Sequence, residues 1–316
     1  SPMAVKTHRL ILLALFCLAS PALAVPGPLA LRYLTPNQKV HPLYWVMGDY
    51  VTVNIKPPAV VLANQGKGSL TVTEARLVGR IGAREVARSS FSAAQIESTA
   101  QAVIEWKRRL AVVGYETDFA HIAYGNLAWP AGEVTGSCRI APGQSLVLPL
   151  HQLGYFEYIG RERLESLAVE VSYRIGGKRR TQTLAVPLFY RHTGDRYIYP
   201  LAGSTLVANG ALAYPHHRNA LSQEFGMDIV GAAANEDGLF YSRRQPPQLL
   251  TDHLIYQRDI MAVADGVVVI MENRHPEDVT YVGPIRRDKL VALIPQIGFL
   301  GAIAGNHVVI DHGNGD

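Results

Sequence analysis

A chain of 316 residues, 48% hydrophobic and 18% charged, has room for two cored domains and is too apolar to be disordered. Lys and Arg number 30 against 26 Asp and Glu, a formal charge of +4 with a sequence pI near 9.0. That mild basic bias suits an anionic partner, and no basic run with interleaved aromatics points to nucleic acid.

The N-terminus reads as an address. Lys6, His8 and Arg9 form a positive region, and Leu10 to Leu18 is an apolar run too short to span a bilayer. Ala22-Leu23-Ala24 is an A-x-A cleavage site, so residues 1–24 read as a signal peptide, with Ser1-Pro2 a remnant before Met3. Cys17 follows bulky Phe16, a poor lipidation context, and leaves with the signal. Cys138 is then the single mature cysteine, which forbids an intrachain disulfide and suits a small buried hydrophobe. The expected mature protein is exported, periplasmic or extracellular, with no stable membrane insertion.

Residues 25–191 read as a β-sandwich-like domain. Tyr50–Ile55 is rich in β-formers, Ser69–Thr73 alternates apolar and polar, and Ser145–Leu150 is a third short run. Leu167–Arg174 and Thr183–Tyr190 flank Gly176-Gly177, a hairpin signature. One helix interrupts the strands. Ser92 is its expected N-cap, and Ile96, Ala100, Val103, Lys107 and Leu110 share one face, broken only by Lys107. Such a helix either packs on the sandwich or forms a lid over the neighbouring domain.

Residues 192–202 read as a linker and 203–316 as a second β-rich domain. Ile260–Ile270 reads as two apolar strands joined by a tight turn at Asp265-Gly266, and His307–Asp311 as another strand. Asn235–Gln257 and Glu272–Gly305 read as long connections, which are often functional in compact domains. The expected fold class is mainly β: a sandwich-like domain with an inserted helix, then an incomplete antiparallel β-sheet domain.

The chemistry concentrates between Pro215 and Val230. His216-His217 precedes a carboxylate, Asp228, eleven residues beyond His217 in a strand-like run. Imidazole and carboxylate are zinc ligands, and a catalytic zinc takes three protein ligands and leaves one position for water. Three segments then follow in order: Phe225-Gly226-Met227-Asp228-Ile229-Val230, Ala262-Val263-Ala264-Asp265-Gly266-Val267-Val268, and Gly305 to Gly315 with its His-Gly-Asn-Gly turn. Over roughly residues 203–316 this ordered set resembles the lysostaphin-type zinc metallopeptidases, which cleave peptide cross-links in peptidoglycan.

The resemblance implies a Zn2+ cofactor and peptidoglycan peptides as substrate. It implies Asp228 and His217 as metal ligands, with His216 the alternative to His217; the sequence His217-Arg218-Asn219-Ala220-Leu221 favours His217. The family's third ligand, in a His-x-His strand, and its catalytic histidine would lie beyond Asp316. The chain as given is therefore expected to carry no catalytic residue and to be inactive. His312 belongs by position to the turn, and His307 to a strand. His253 and His275 sit in connections without partner spacing, and Glu224 and Glu236 read as solvated. The alternative is a non-catalytic cell-wall binding or regulatory module of the same fold.

Overall fold

The computed structural model describes residues 27–36, 38–113, 128–190, 197–210, 226–277 and 287–313. The protein is mainly β, with antiparallel pairing in every sheet. The expected signal peptide lies outside the described residues.

Between residues 27 and 190, three sheets enclose one core. The first orders β1 (Leu29–Tyr33), β4 (Ala59–Asn64) and β8 (Ser145–Pro149). The second orders β2 (Leu43–Met47), β3 (Tyr50–Ile55) and β9 (Phe156–Gly160). In the third, β11 (Lys178–Val186), β10 (Ser166–Ile175), β5 (Leu70–Ile81) and β6 (Arg84–Ser92) lie side by side, and β7 (Arg139–Ile140) pairs the start of β5. Leu62 and Leu148 of the first sheet, Ile55 and Phe156 of the second, and Leu77 and Val169 of the third belong to the same buried cluster. Apolar burial of this kind is the main favourable term in folding.

The expected hairpin forms. Gly176 and Gly177 adopt φ of 53° and 76°, the positive pair a tight two-residue turn demands and other residues resist. The helix also forms, as α1 (Ala93–Val113). Ser92 caps it: the Gln95 backbone N–H donates to Ser92 Oγ at 3.4 Å, and the Ser92 N–H donates to Gln95 Oε1 at 2.9 Å. This reciprocal pair satisfies donors that the first turn leaves without helical partners. Ile96, Ala100 and Val103 are buried, and Lys107 Nζ lies 4.8 Å from the Trp129 ring centre. The helix contacts β5, β6 and β8, so it packs on the sandwich. Cys138 is buried with Sγ 3.2 Å from the Ala93 carbonyl, and burial pushes its thiol up to about 11, which suits a packed hydrophobe and not a nucleophile.

From residue 197 onward the sheets are small. β12 (Thr205–Gly210) pairs β13 (Met227–Gly231), β14 (Ala233–Asn235) pairs β15 (Gly238–Phe240), and β16 (Val267–Glu272) pairs β17 (His307–Asp311). Two expectations fail here. Residues 260–266 are not a strand: Ile260 makes only an isolated bridge to Leu201, and the strand begins at Val267. The connection after Glu272 contains α2 (Arg287–Ala304), two helical pieces merged across a kink at Gly298 (φ 75°, ψ 169°) with Pro295 inside. Both residues disfavour helix interiors, and burial of Ile294 and Ala302 offsets their cost.

Candidate metal centre

Asp228 is the expected ligand that the structure describes. It occupies β13 opposite Asn209 of β12 and is exposed to solvent. The pairing shifts register between Val207 and Asn209, so an irregularity sits directly across from the carboxylate. Bulges of this sort re-aim side chains and are over-represented beside functional sites. His216, His217 and Glu224 lie outside the described residues.

The histidines set aside on sequence take structural places. His312 follows β17, with Nδ1 2.9 Å from the Asp265 carbonyl and its ring 5.9 Å from that of Tyr197. This contact ties the turn after β17 to Asp265, two residues before β16. His307 Nδ1 lies 2.7 Å from the Gly305 carbonyl, and its Nε2 is buried without a hydrogen-bond partner among the described residues. His253 stacks on Tyr241 with ring centres 6.1 Å apart. Glu236 is exposed in the turn between β14 and β15.

Two polar devices at the end of the β16–β17 ribbon carry no sequence signal. Glu272 accepts three hydrogen bonds from Arg274, from the backbone N–H at 2.8 Å and from Nε and Nη2 at 3.0 and 2.6 Å. These bonds to the ionised form hold the carboxyl down to about 2. Asn306 grips the backbone of His275: its Oδ1 accepts the His275 N–H at 2.9 Å, and its Nδ2 donates to the His275 carbonyl at 3.1 Å. The partners are 31 residues apart, too far for any local pattern to announce.

Zinc in a catalytic setting needs three protein donors. The described residues bring no group of three or more His, Cys, Asp or Glu side chains together in a way that could hold a metal. Of the expected pair they contribute Asp228 alone, so they do not by themselves fit a zinc ion. No helix among the described residues is long and apolar enough to cross a membrane. Against models of known families and against curated proteins, the chain gives no match.

Proposed function

We propose that this is an exported metallopeptidase-like protein of the bacterial cell wall, whose lysostaphin-type half is built to act on the peptide cross-links of peptidoglycan. Asp228, with His217 or His216, is assigned to the metal. The observation that carries the reading is the placement of Asp228: an exposed carboxylate on a paired strand, opposite a register irregularity, within an ordered run of three family-like segments. In hydrolases of this kind zinc supplies an acidified water and a polarised carbonyl. This chain's part is to present the carboxylate from a paired strand and the imidazole from the stretch before it.

Zinc content tests the assignment. The purified chain is dialysed against dilute zinc and its metal measured by elemental analysis, beside Asp228→Ala, His217→Ala and His216→Ala. Weak uptake is expected, lost in Asp228→Ala and in His217→Ala and kept in His216→Ala. Uptake that survives both Asp228→Ala and His217→Ala would remove these residues from the metal. No uptake in any form would favour the non-catalytic wall-binding module.

A further inference from the structure

One row of side chains crosses the outer face of the largest sheet. Arg139 of β7 stands opposite Thr71 of β5, Thr71 opposite Arg174 of β10, and Arg174 opposite Arg179 of β11. Directly opposed residues share a face of a sheet. The neighbouring row fixes which face: Ile140, Leu70, Val72 and Tyr173 are all buried in the core, so Thr71 and the three arginines point outward. All four are exposed. At roughly 4.8 Å per strand, the row spans about 14 Å.

Like charges directly opposite each other destabilise a sheet, and a hairpin selected for stability alone would alternate their signs. Here Arg174 faces Arg179, with Lys178 exposed beside them at the turn. Compensation is thin. Glu74 Oε2 lies 3.5 Å from Arg179 Nη2 and also 3.5 Å from Arg76 Nε, one carboxylate between two guanidiniums. Arg139 and Arg174 have no carboxylate partner among the described residues. Beside the row lies a groove of about 430 Å3, lined by Thr73, Glu74, Ser90, Ser92, Arg174 and Arg179. It offers forked cationic donors with hydroxyls at close range.

We propose that this face binds the carboxylate-bearing peptide and sugar chains of peptidoglycan, and so anchors the protein to its polymer through the sandwich. The inference rests on the cell-wall reading above. Guanidinium is matched to carboxylate because its planar fork donates two parallel hydrogen bonds. The Ser90 hydroxyl suits sugar hydroxyls and amides, and Thr73, whose hydroxyl donates to the Ser172 carbonyl at 3.1 Å, adds an acceptor. The aromatic residue at the groove, Phe91, is buried in the core and offers no open face to stack a base, which disfavours single-stranded nucleic acid.

Co-sedimentation with purified sacculi tests the proposal, read as binding with no turnover. The unaltered chain should sediment and should release with rising salt. A triple variant, Arg139→Ser with Arg174→Ser and Arg179→Ser, should bind about tenfold more weakly. Its melting temperature should stay level or rise, since like-charge repulsion is relieved; a purely structural role would lower it. The triple variant should take up zinc as the unaltered chain does, so failure of the metal assignment and failure of this one are read separately. Sacculi stripped of phosphate polymers should retain the protein, and sacculi with amidated carboxyls should not. No sedimentation, equal binding by the triple variant, or loss of binding on stripping alone would each overturn the proposal.

Discussion

β8 and β16 are both short, mainly apolar strands, and they are opposites in surroundings. Ser-Leu-Val-Leu-Pro of β8 is buried at every residue, while in Val-Val-Val-Ile-Met-Glu of β16 the first five are exposed and only Glu272 is buried. Val267 is 68% exposed and Met271 69%, against 0% for Leu146 and Leu148. The two runs form strands for the same local reason, β-branched and apolar side chains that suit a pleated backbone. They differ in what lies over them. β8 is an edge strand of its sheet, but α1 packs against it and its inward face meets the common core. β16 has β17 on one side and no second partner among the described strands. Strand formation is thus a local property, whereas burial is a property of the assembled region, and the two halves of this protein separate them.

The largest test of that contrast is a pair of truncations. Leu148→Ala in β8 should cost about 2–5 kcal/mol, because it removes buried surface and leaves a cavity. Val268→Ala in β16 should change stability by no more than about 0.5 kcal/mol, as an exposed site does. All three tryptophans, Trp45, Trp106 and Trp129, lie before residue 190, so urea unfolding followed by tryptophan fluorescence reads the sandwich. A second probe, hydrogen exchange at residues 267–272, reads the ribbon. If Val268→Ala destabilised the ribbon as strongly as Leu148→Ala destabilises the sandwich, β16 would be a covered strand in solution and the contrast would fall.

Acid should separate the halves in a different way. His151 sits in the 3-10 turn Leu150–Gln152 and is 5% exposed. Burial first, and then the charge of Lys56, push its pKa down from 6.5 to about 3. The unfolded chain therefore takes up a proton near pH 6.5 that the folded sandwich refuses until about pH 3. Stability is full above pH 6.5 and falls through that window, by a few kcal/mol at most. Glu272 has the other pattern: its carboxyl, held down to about 2 by Arg274, supports the ribbon above pH 4.5 and loses that support as pH falls toward 2. Tryptophan-detected stability should then begin to fall near pH 6.5, and ribbon protection only below about 4.5. His151→Phe should flatten the first slope and leave the second. A first slope unchanged in His151→Phe would mean that another group carries it.

What the residues announce in advance follows the same division. β3 and β17 run over Tyr50–Ile55 and His307–Asp311 as their composition predicts, and the Gly176-Gly177 turn and the Ser92 cap form where those residues stand. Each signal is local, decided within a few residues. α2 escapes because Pro295 and Gly298 break its pattern and its apolar residues show no clear face, so only tertiary burial of Ile294 and Ala302 reveals it. Ile260–Val263 misleads in the reverse direction: one bridge to Leu201 and two backbone hydrogen bonds, Ile198 N–H to the Val263 carbonyl and Met261 N–H to the Pro200 carbonyl, are all that tie it to residues 198–201, and no strand forms. At the candidate site, the strand around Asp228 is readable from its β-formers, but the irregularity opposite it depends on β12, where the facing Asn209 lies 19 residues earlier in sequence. In the arginine row the Gly176-Gly177 hairpin sets Arg174 against Arg179 locally, but Arg139 joins them only through the register of β7, β5 and β10, which no local pattern announces.

The smallest predicted effect uses one chemical change in both halves. A Cβ added at Gly79 in β5 would stand 2.7 Å from Phe156 Cζ and 2.8 Å from Leu164 Cδ1, both fully buried. Gly79→Ala should therefore overpack the core and cost about 1–3 kcal/mol, lowering the tryptophan-detected midpoint. A Cβ at Gly266, ahead of β16, would stand 2.6 Å from the Asp311 carbonyl oxygen and 2.6 Å from Ile310 Cγ2. The clash there is as close, but the obstacle is the partner strand and His312 beside it, in a ribbon whose strands are largely exposed. Gly266→Ala should push β17 from β16 and speed exchange at Val267 and Val268, with the tryptophan midpoint unmoved. The His312–Asp265 contact should weaken with it, because both depend on the two chain segments meeting at that point. If Gly266→Ala shifted the tryptophan midpoint as far as Gly79→Ala, the ribbon and the sandwich would unfold as one unit. The exposed face of β16 would then belong to a structure whose stability is shared across both halves.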